Sequence, residues 1–171
     1  MKIKLNIILS AILISIAHLG FAQKFAYINS AEILTTMPEI KAADAEVESY
    51  QSILRKQGQQ MVQDLKAKYD ALDERDKRGE LSPKMKNDEV ESLKIEEQKL
   101  GEAQQNMSKQ LQDKRHDLYQ PILDKVNKAI DEIAKEAGYQ FVFDTSTGIL
   151  LYADPTQDIS EKVKSKLGIK P

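Results

Sequence analysis

Apolar side chains recur at steps of three and four along most of the chain, the spacing of one face of an α-helix. Residues 38–77 carry nine of them, at Ile40, Ala43, Val47, Tyr50, Leu54, Met61, Leu65, Tyr69 and Leu72. Residues 83–137 continue the pattern, at Val90, Leu93, Leu100, Met107, Leu111, Leu118, Ile122, Val126, Ile130 and Ile133. Spacing sustained over this length predicts the seam of a coiled coil.

A reversal is predicted between these two helices. Residues 77–83 read Lys-Arg-Gly-Glu-Leu-Ser-Pro, in which a helix-ending glycine precedes a serine cap and a proline suited to a first helical turn. The sequence therefore predicts a long antiparallel helical hairpin that projects from the rest of the chain.

Strand patterns flank the hairpin. Residues 24–28, 139–144 and 149–153 are rich in β-formers, and a Thr-Ser-Thr-Gly turn joins the last two into a predicted β-hairpin. We expect a three-stranded sheet, with a final helix that begins near Ser160. So small a sheet cannot bury both of its faces, so its copies should associate. The candidate interface residues are Phe25, Tyr27, Phe141, Phe143 and Leu151.

The N-terminus has the pattern of a secretory signal peptide. Lys2 and Lys4 precede an apolar run over residues 5–19, which ends in Gly-Phe-Ala. The run is shorter than the roughly 20 apolar residues of a membrane-spanning helix, so we expect cleavage after Ala22. The predicted organisation is a signal peptide (1–22), a first strand and short helix (23–37), the hairpin (38–137, reversing near 77–83) and a β-hairpin with a C-terminal helix (138–171).

Charge and composition exclude some classes of function and of architecture. The 171 residues carry a formal charge of −2. Cleavage of the predicted signal peptide removes Lys2 and Lys4 and leaves 23 basic and 27 acidic side chains, a charge of −4. Nucleic-acid binding requires a basic stripe, which this chain lacks. The sequence has no cysteine, 6% aromatic residues and 30% charged residues. This composition supplies few residues for a single compact core, so we expect an elongated or oligomeric protein.

Candidate catalytic chemistry is sparse. His116 is the one histidine after residue 22, and it has no cysteine or second histidine beside it. No glycine-rich loop leads into a lysine as a phosphate site requires. Glu96 and Glu97 are adjacent on a helix, so their carboxylates point apart. We predict no catalytic residue, no metal site and no cofactor.

Two glycines interrupt the predicted arms at similar distances from the reversal. Gly58 and Gly101 lie 21 and 22 residues from Gly79, and each weakens its helix by about 1 kcal/mol relative to alanine. Together they are candidates for a hinge that lets the arms bend. Close helix approach and chance are equally open explanations.

The chain resembles the Skp/OmpH family of periplasmic chaperones over almost all of residues 24–167. Three stretches carry the resemblance. The first is Phe-Ala-Tyr-Ile-Asn-Ser at 25–30, with Ile33, Leu34 and Pro38. The second is residues 130–144, where Ile-Ala-Lys-Glu-Ala-Gly-Tyr precedes Phe-Val-Phe-Asp. The third is Leu151 and Tyr152 followed by Asp-Ile-Ser at 158–160 and Val163.

The resemblance implies a homotrimer with a central β-barrel, whose three helical arms enclose a cavity, and an ATP-independent holdase for unfolded outer-membrane β-barrel proteins. Client contacts would then be apolar residues of the arms, with Ile40, Val47, Tyr50, Leu54, Met61 and Met107 as candidates, although packing between the arms explains the same residues equally well. Familiar members are basic, whereas this chain is slightly acidic, so the sequence gives no support for contact with lipopolysaccharide or an anionic membrane. The alternative function is a structural coiled-coil adaptor or spacer of the cell envelope, gripping a partner at residues 75–80.

Overall fold

A computed structural model describes residues 23–169. The predicted signal peptide, residues 1–22, lies outside the described residues. The elements follow in the order β1 (Phe25–Ile28), α1 (Ser30–Thr36), α2 (Pro38–Lys77), α3 (Pro83–Ala137), β2 (Phe141–Asp144) and α4 (Ser160–Lys166), with 3-10 turns at Thr145–Thr147 and Pro155–Gln157. The prediction of a mostly helical chain with a small sheet is confirmed.

The described chain forms two compact units. The hairpin unit is Leu34–Val126, and the sheet unit combines the described parts of Met1–Ile33 and Asn127–Pro171. The residues of each unit mainly contact other residues of the same unit.

The reversal between α2 and α3 follows from two residues with special backbone roles. Gly79 adopts a positive φ of 72°, which ends α2 because L side chains rarely take this conformation. The N–H of Glu80 then donates to the carbonyl of Arg75 at 3.0 Å, closing a Schellman-type end. On the other side, Ser82 Oγ accepts from the N–H of Met85 at 3.2 Å and begins α3.

Pairs of side chains across the hairpin show that α2 and α3 run antiparallel. Glu39 pairs with Lys125 at 2.6 Å near one end, the Tyr50 hydroxyl donates to Gln110 at 3.1 Å, and Arg75 pairs with Glu89 at 2.8 Å near the reversal. Exposed ion pairs contribute less than about 1 kcal/mol each. The main stabilisation comes from the buried side chains of the seam: Ala43, Val47, Leu54, Leu72, Leu93, Ile122 and Val126.

The sheet unit has a two-stranded parallel sheet over an aliphatic core. β1 pairs with β2 in the register Phe25↔Phe141 and Tyr27↔Phe143. Because side chains alternate along a strand, Ala26 and Ile28 point the other way and are buried. The core comprises Ala26, Ile28, Ile33, Ala129, Ile133, Ile159 and Val163.

The predicted third strand, residues 149–153, is not a strand in this structure, and the predicted β-hairpin does not form. After β2, the Asp144 carboxylate accepts from the N–H of Ser146 at 3.0 Å and starts a 3-10 turn, while Thr145 Oγ1 donates to the carbonyl of Ile28 at 2.9 Å. These bonds turn the chain out of the sheet before it can fold back on β2. The chain meets the sheet again at a single bridge between Tyr27 and Asp158.

Candidate functional site

Three phenylalanines form an aromatic face on the side of the sheet opposite its core. Phe25 stacks on Phe141 with ring centroids 5.7 Å apart, and Phe143 lies 6.2 Å from Phe25 and 6.3 Å from Phe141. Pairs in this geometry contribute about 0.5–1.5 kcal/mol beyond the area that they bury. All three rings nevertheless remain exposed, which makes this face a candidate interaction surface.

An apolar loop, residues 149–152, enlarges this exposed surface. Ile149, Leu151 and Tyr152 are 80%, 97% and 83% exposed. Tyr152 and Leu150 also line a groove of about 400 Å³, together with Phe25, Tyr27 and Phe143. The loop and the aromatic face therefore border one apolar groove.

Tyr27 supplies a polar group to this groove, which Asp154 and Gln157 also line. It is half-buried, and burial raises the pKa of its hydroxyl above the ordinary value, as do the neighbouring carboxylates of Asp158 and Asp154. The hydroxyl is therefore neutral at neutral pH and is available as a hydrogen-bond donor.

Asp144 links β2 to the start of α1. Its carboxylate accepts from the N–H of Ser30 at 3.2 Å, from the Ser30 hydroxyl and from the N–H of Ser146. Burial alone would raise the pKa of Asp144, but the hydrogen bonds from Ser30 and Ser146 outweigh it and lower the pKa below the ordinary value. The ionised carboxylate thus holds the edge of the aromatic face against the helix that follows β1.

A buried lysine fixes α4 to α1 within the sheet unit. Lys164 pairs with Glu32 at 2.7 Å and with Glu161 at 2.9 Å, and these hydrogen bonds raise its pKa to about 12. The cation has two carboxylate partners, so its burial is compensated. This cluster of Lys164, Glu32 and Glu161 holds α1 and α4 together inside the sheet unit and carries no reactive group.

The candidate client-contact residues all lie on the seam of the hairpin unit. Val47 and Leu54 are buried there. The other four are half-buried, at Ile40, Tyr50, Met61 and Met107. Packing between α2 and α3 therefore occupies much of the surface of every one of them.

The two hinge candidates have different surroundings. A Cβ added at Gly58 would lie 3.7 Å from Met107 Sδ, in ordinary contact, whereas one added at Gly101 would meet no atom within 4 Å. Neither glycine is required by close helix approach. The cross-helix pairs Lys68–Glu96 and Tyr50–Gln110 place Gly58 roughly one helical turn from the level of Gly101.

The family of the chain is set by its sequence. The profile of the OmpH-like outer membrane proteins matches residues 24–167. The chain belongs to the OmpH-like family. A crystal structure from Caulobacter crescentus CB15, assigned as an OmpH-like outer membrane chaperone, has a similar fold, with a TM-score of 0.70 at 14% identity over 85% of this chain and 83% of that one. A comparison with curated protein sequences gives no match.

Among residues 23–169, no three His, Cys, Asp or Glu side chains gather as a metal site would require. The same residues include no helix that combines the length and apolar character needed to cross a bilayer.

Sequence reasoning missed several exposed apolar residues of this OmpH-like chain. Ile53, Val62 and Ile95 lie outside the seam and are about half exposed. The heptad pattern does not identify these residues, because it assigns a role to seam positions only. An apolar residue at an otherwise polar position of the repeat was the available signal.

Proposed function

We propose that this chain is an ATP-independent holdase chaperone that binds unfolded outer-membrane β-barrel proteins in the periplasm and keeps them from aggregating. The observation that carries the proposal is membership of the OmpH-like family over residues 24–167. The similar fold of a protein assigned as an outer membrane chaperone supports it. A long hairpin with a charged surface and a separate apolar face suits a protein that holds other chains without chemistry.

Export follows from the N-terminal pattern in this proposal. Residues 1–22 direct the chain across the inner membrane and are removed after Ala22. The mature protein then begins at Gln23, two residues before β1 (Phe25–Ile28). Such a protein meets its clients in transit, before they reach the outer membrane.

The sheet unit is the proposed site of trimerisation. The aromatic face leaves Phe25, Phe141 and Phe143 exposed, and Leu151 stands almost free in the adjoining loop. Burial of such side chains stabilises an interface by roughly 1.5–3 kcal/mol each. The apolar loop, residues 149–152, has the β-forming sequence of a strand, so pairing with another copy would also satisfy its backbone. Tyr27 would lie at the edge of this interface.

The arms of the trimer hold the client by many weak contacts. Half-buried seam residues such as Ile40, Tyr50, Met61 and Met107 become available where the seam loosens, and methionine adapts to varied apolar partners. The charged outer faces keep the loaded assembly in solution. No single arm residue is essential in this mechanism.

Bending of the arms at the level of Gly58 and Gly101 adapts the cavity to client size in this proposal. Between Leu54 and Leu72 of α2, no side chain of the seam is fully buried. The open space around Gly101 supports bending more than it supports tight packing. Glycine lowers helix stability there by about 1 kcal/mol.

An envelope adaptor is the alternative function. Five ion pairs order the reversal, namely Arg75–Glu89, Asp76–Lys86, Asp73–Lys77, Glu74–Lys77 and Arg78–Glu80. An ordered tip favours recognition of one folded partner. The adaptor would not protect unfolded proteins.

The holdase is tested by dilution of a urea-unfolded outer-membrane barrel protein into buffer that contains the mature chain and no nucleotide. Light scattering should stay near the baseline at one trimer per client. Scattering equal to that of the client alone would exclude the holdase and leave the adaptor.

A further inference from the structure

Methionine is the only type of sulfur-containing residue in this chain. The sequence has five methionines and no cysteine. Four of the methionines lie among residues 23–169, namely Met37, Met61, Met85 and Met107. Oxidation of a methionine thioether to the sulfoxide turns a flexible apolar side chain into a polar one. The effect of this change depends on where each thioether lies in the fold.

The four methionines differ in their exposure. Met37 is 0% exposed, so an oxidant cannot reach its sulfur in the folded chain, whereas Met85 is 46% exposed in the first turn of α3. Met61 and Met107 are half-buried on the seam between α2 and α3. These two side chains therefore combine partial access with a place in the packed middle of the hairpin unit.

Open space borders each of these two side chains. Met61 lines a groove of about 360 Å³ together with Leu65 and Leu100, which admits a molecule as small as hydrogen peroxide. Met107 Sδ lies beside Gly58, 3.7 Å from the position that a Cβ would occupy there. Because glycine has no side chain, that volume stays free next to the sulfur. A small oxidant therefore has access to both thioethers without separation of the helices.

The seam has few other strong contacts at this level. On α3, no seam side chain is fully buried between Leu93 and Ile122, a stretch that includes Met107. Within Leu34–Val126, no ion pair joins α2 to α3 between the levels of Lys114 and Glu96. Apolar contact therefore contributes most of the helix pairing here, and a polar group placed in that contact is costly.

We propose that Met61 and Met107 form a reversible oxidation site that loosens the middle of the hairpin unit. Hydrogen peroxide supplies the oxygen: its O–O bond breaks, one oxygen atom bonds to Sδ, and the other leaves as water. Each sulfur loses two electrons and the peroxide gains them, so no further reactant is needed. The sulfoxide oxygen requires hydrogen-bond partners that aliphatic side chains do not supply, so α2 and α3 separate locally.

Oxidation at this site does not depend on the holdase function, because it concerns the packing of two helices within one chain. The proposed export places the chain in an oxidising compartment, where a cysteine-free protein can respond to oxidants through methionine. Reduction of the sulfoxide by a methionine sulfoxide reductase restores the thioether, and the helices then pack again.

Leucine variants separate this site from the other methionines. Met61→Leu with Met107→Leu removes both thioethers and keeps the seam apolar and nearly unchanged in volume. Met85→Leu is the control and retains both thioethers of the site. Leucine is a good helix former, so both variants should keep the helical circular dichroism of the parent.

The site of oxidation is determined by peptide mass spectrometry after treatment of the folded protein with hydrogen peroxide. In the parent, the peptides that contain Met61 and Met107 should each gain about 16 Da, whereas the peptide that contains Met37 should keep its mass. Met61 and Met107 left unmodified in a protein whose Met85 is oxidised would overturn the inference, because the seam would then shield them.

The effect of oxidation on packing is measured by hydrogen exchange. In the oxidised parent, amide hydrogens at 55–66 and 99–110 should exchange at least about tenfold faster than before treatment, while those at 38–47 stay unchanged. Met85→Leu should respond as the parent does. The double leucine variant should not respond, and a methionine sulfoxide reductase should restore slow exchange in the parent.

Unchanged exchange after oxidation of both Met61 and Met107 would also overturn the inference. The same holds for an equal acceleration in the double leucine variant, which would assign the effect to Met85 or Met37. None of these measurements includes a client protein. The dilution assay for the holdase function therefore succeeds or fails independently of them.

Discussion

Phe25 stacks on Phe141 with their ring centroids 5.7 Å apart, although the two residues belong to strands at opposite ends of the described chain. Parallel pairing of β1 with β2 brings them together on the exposed face of the sheet. The stack leaves both rings in contact with water. The exposed rings are the basis for our proposal that copies of this chain associate through the sheet unit.

Loss of these rings should prevent trimerisation. Phe141→Ser with Phe143→Ser should weaken self-association at least 100-fold, because each buried phenyl contributes roughly 1.5–3 kcal/mol. Sedimentation equilibrium should then give the mass of one chain at micromolar concentration. Ile95→Ser on the hairpin is the control and should leave the mass unchanged. A trimer mass for the double variant would show that the aromatic face is not the interface.

The glycines of the arms should differ from the glycine of the reversal. Gly101→Ala should stabilise the protein by about 1 kcal/mol in urea unfolding, because the added methyl group meets open space. Gly79→Ala should destabilise it by roughly 1–2 kcal/mol, because residue 79 has a φ of 72°. Equal changes in the free energy of unfolding at both positions would mean that the low helix propensity of glycine does not limit the stability of α3 at Gly101.

The hinge can be tested on the same background. The chain contains no cysteine, so Lys41→Cys and Asp70→Cys introduce two spin labels on α2, on either side of Gly58. Their distance distribution should be broad in the parent and should narrow when Gly58→Ala and Gly101→Ala are combined. An equal width in both proteins would show that the glycines do not control bending.

Asp144 should make the stability of the sheet unit depend on pH. Asp144→Asn should cost about 1–3 kcal/mol at neutral pH, because it weakens hydrogen bonds to Ser30 and Ser146. The folded-state pKa of Asp144 is lowered from an ordinary value of 3.8. Its ionisation therefore stabilises the fold above that ordinary value, and the stabilisation disappears as the pH falls through the folded-state pKa.

Urea unfolding of the parent and of Asp144→Asn at a series of pH values checks this prediction. The difference between their free energies of unfolding should be constant near neutral pH and should shrink below about pH 4. A difference that stays constant down to pH 2 would indicate that the charge on Asp144 does not contribute.

The tip of the hairpin separates the holdase from the adaptor. Alanine at the six positions 75–80 should leave protection of an unfolded barrel within about twofold of the parent, because exposed ion pairs contribute little. Alanine at Gly79 is strained, so a second variant keeps Gly79 and replaces the other five. Binding of one folded envelope partner by the parent, lost in this second variant, would instead favour the adaptor.

Local patterns explain how much of the fold the sequence predicts. Pro38, Pro83 and Gly79 act on their own backbone, and the spacing of apolar residues reports one helix face, so the helices are visible without a structure. The pairing of Phe25 with Phe141 joins residues far apart in sequence, and no local signal specifies it. The turn after Phe143 resembles a hairpin turn, but Asp144 bonds to Ser30, a residue that the hairpin pattern ignores.

The candidate sites also differ in how far local sequence patterns predict them. Alternation along β1 and β2 suffices to place Phe25, Phe141 and Phe143 on one face. The exposure of Ile53 and Val62 depends on which apolar residues α3 covers, so it becomes visible only when both helices are in place. The seam pattern alone favoured Val47 and Leu54, whose side chains are buried between the helices.

The mass of a purified complex tests the central claim most directly. A urea-unfolded outer-membrane barrel protein is diluted into the mature chain without nucleotide, and the soluble fraction is passed over a size-exclusion column with light-scattering detection. We expect one species with the mass of three copies and one client. Elution of the chain at its own mass, with the client in the pellet, would contradict it.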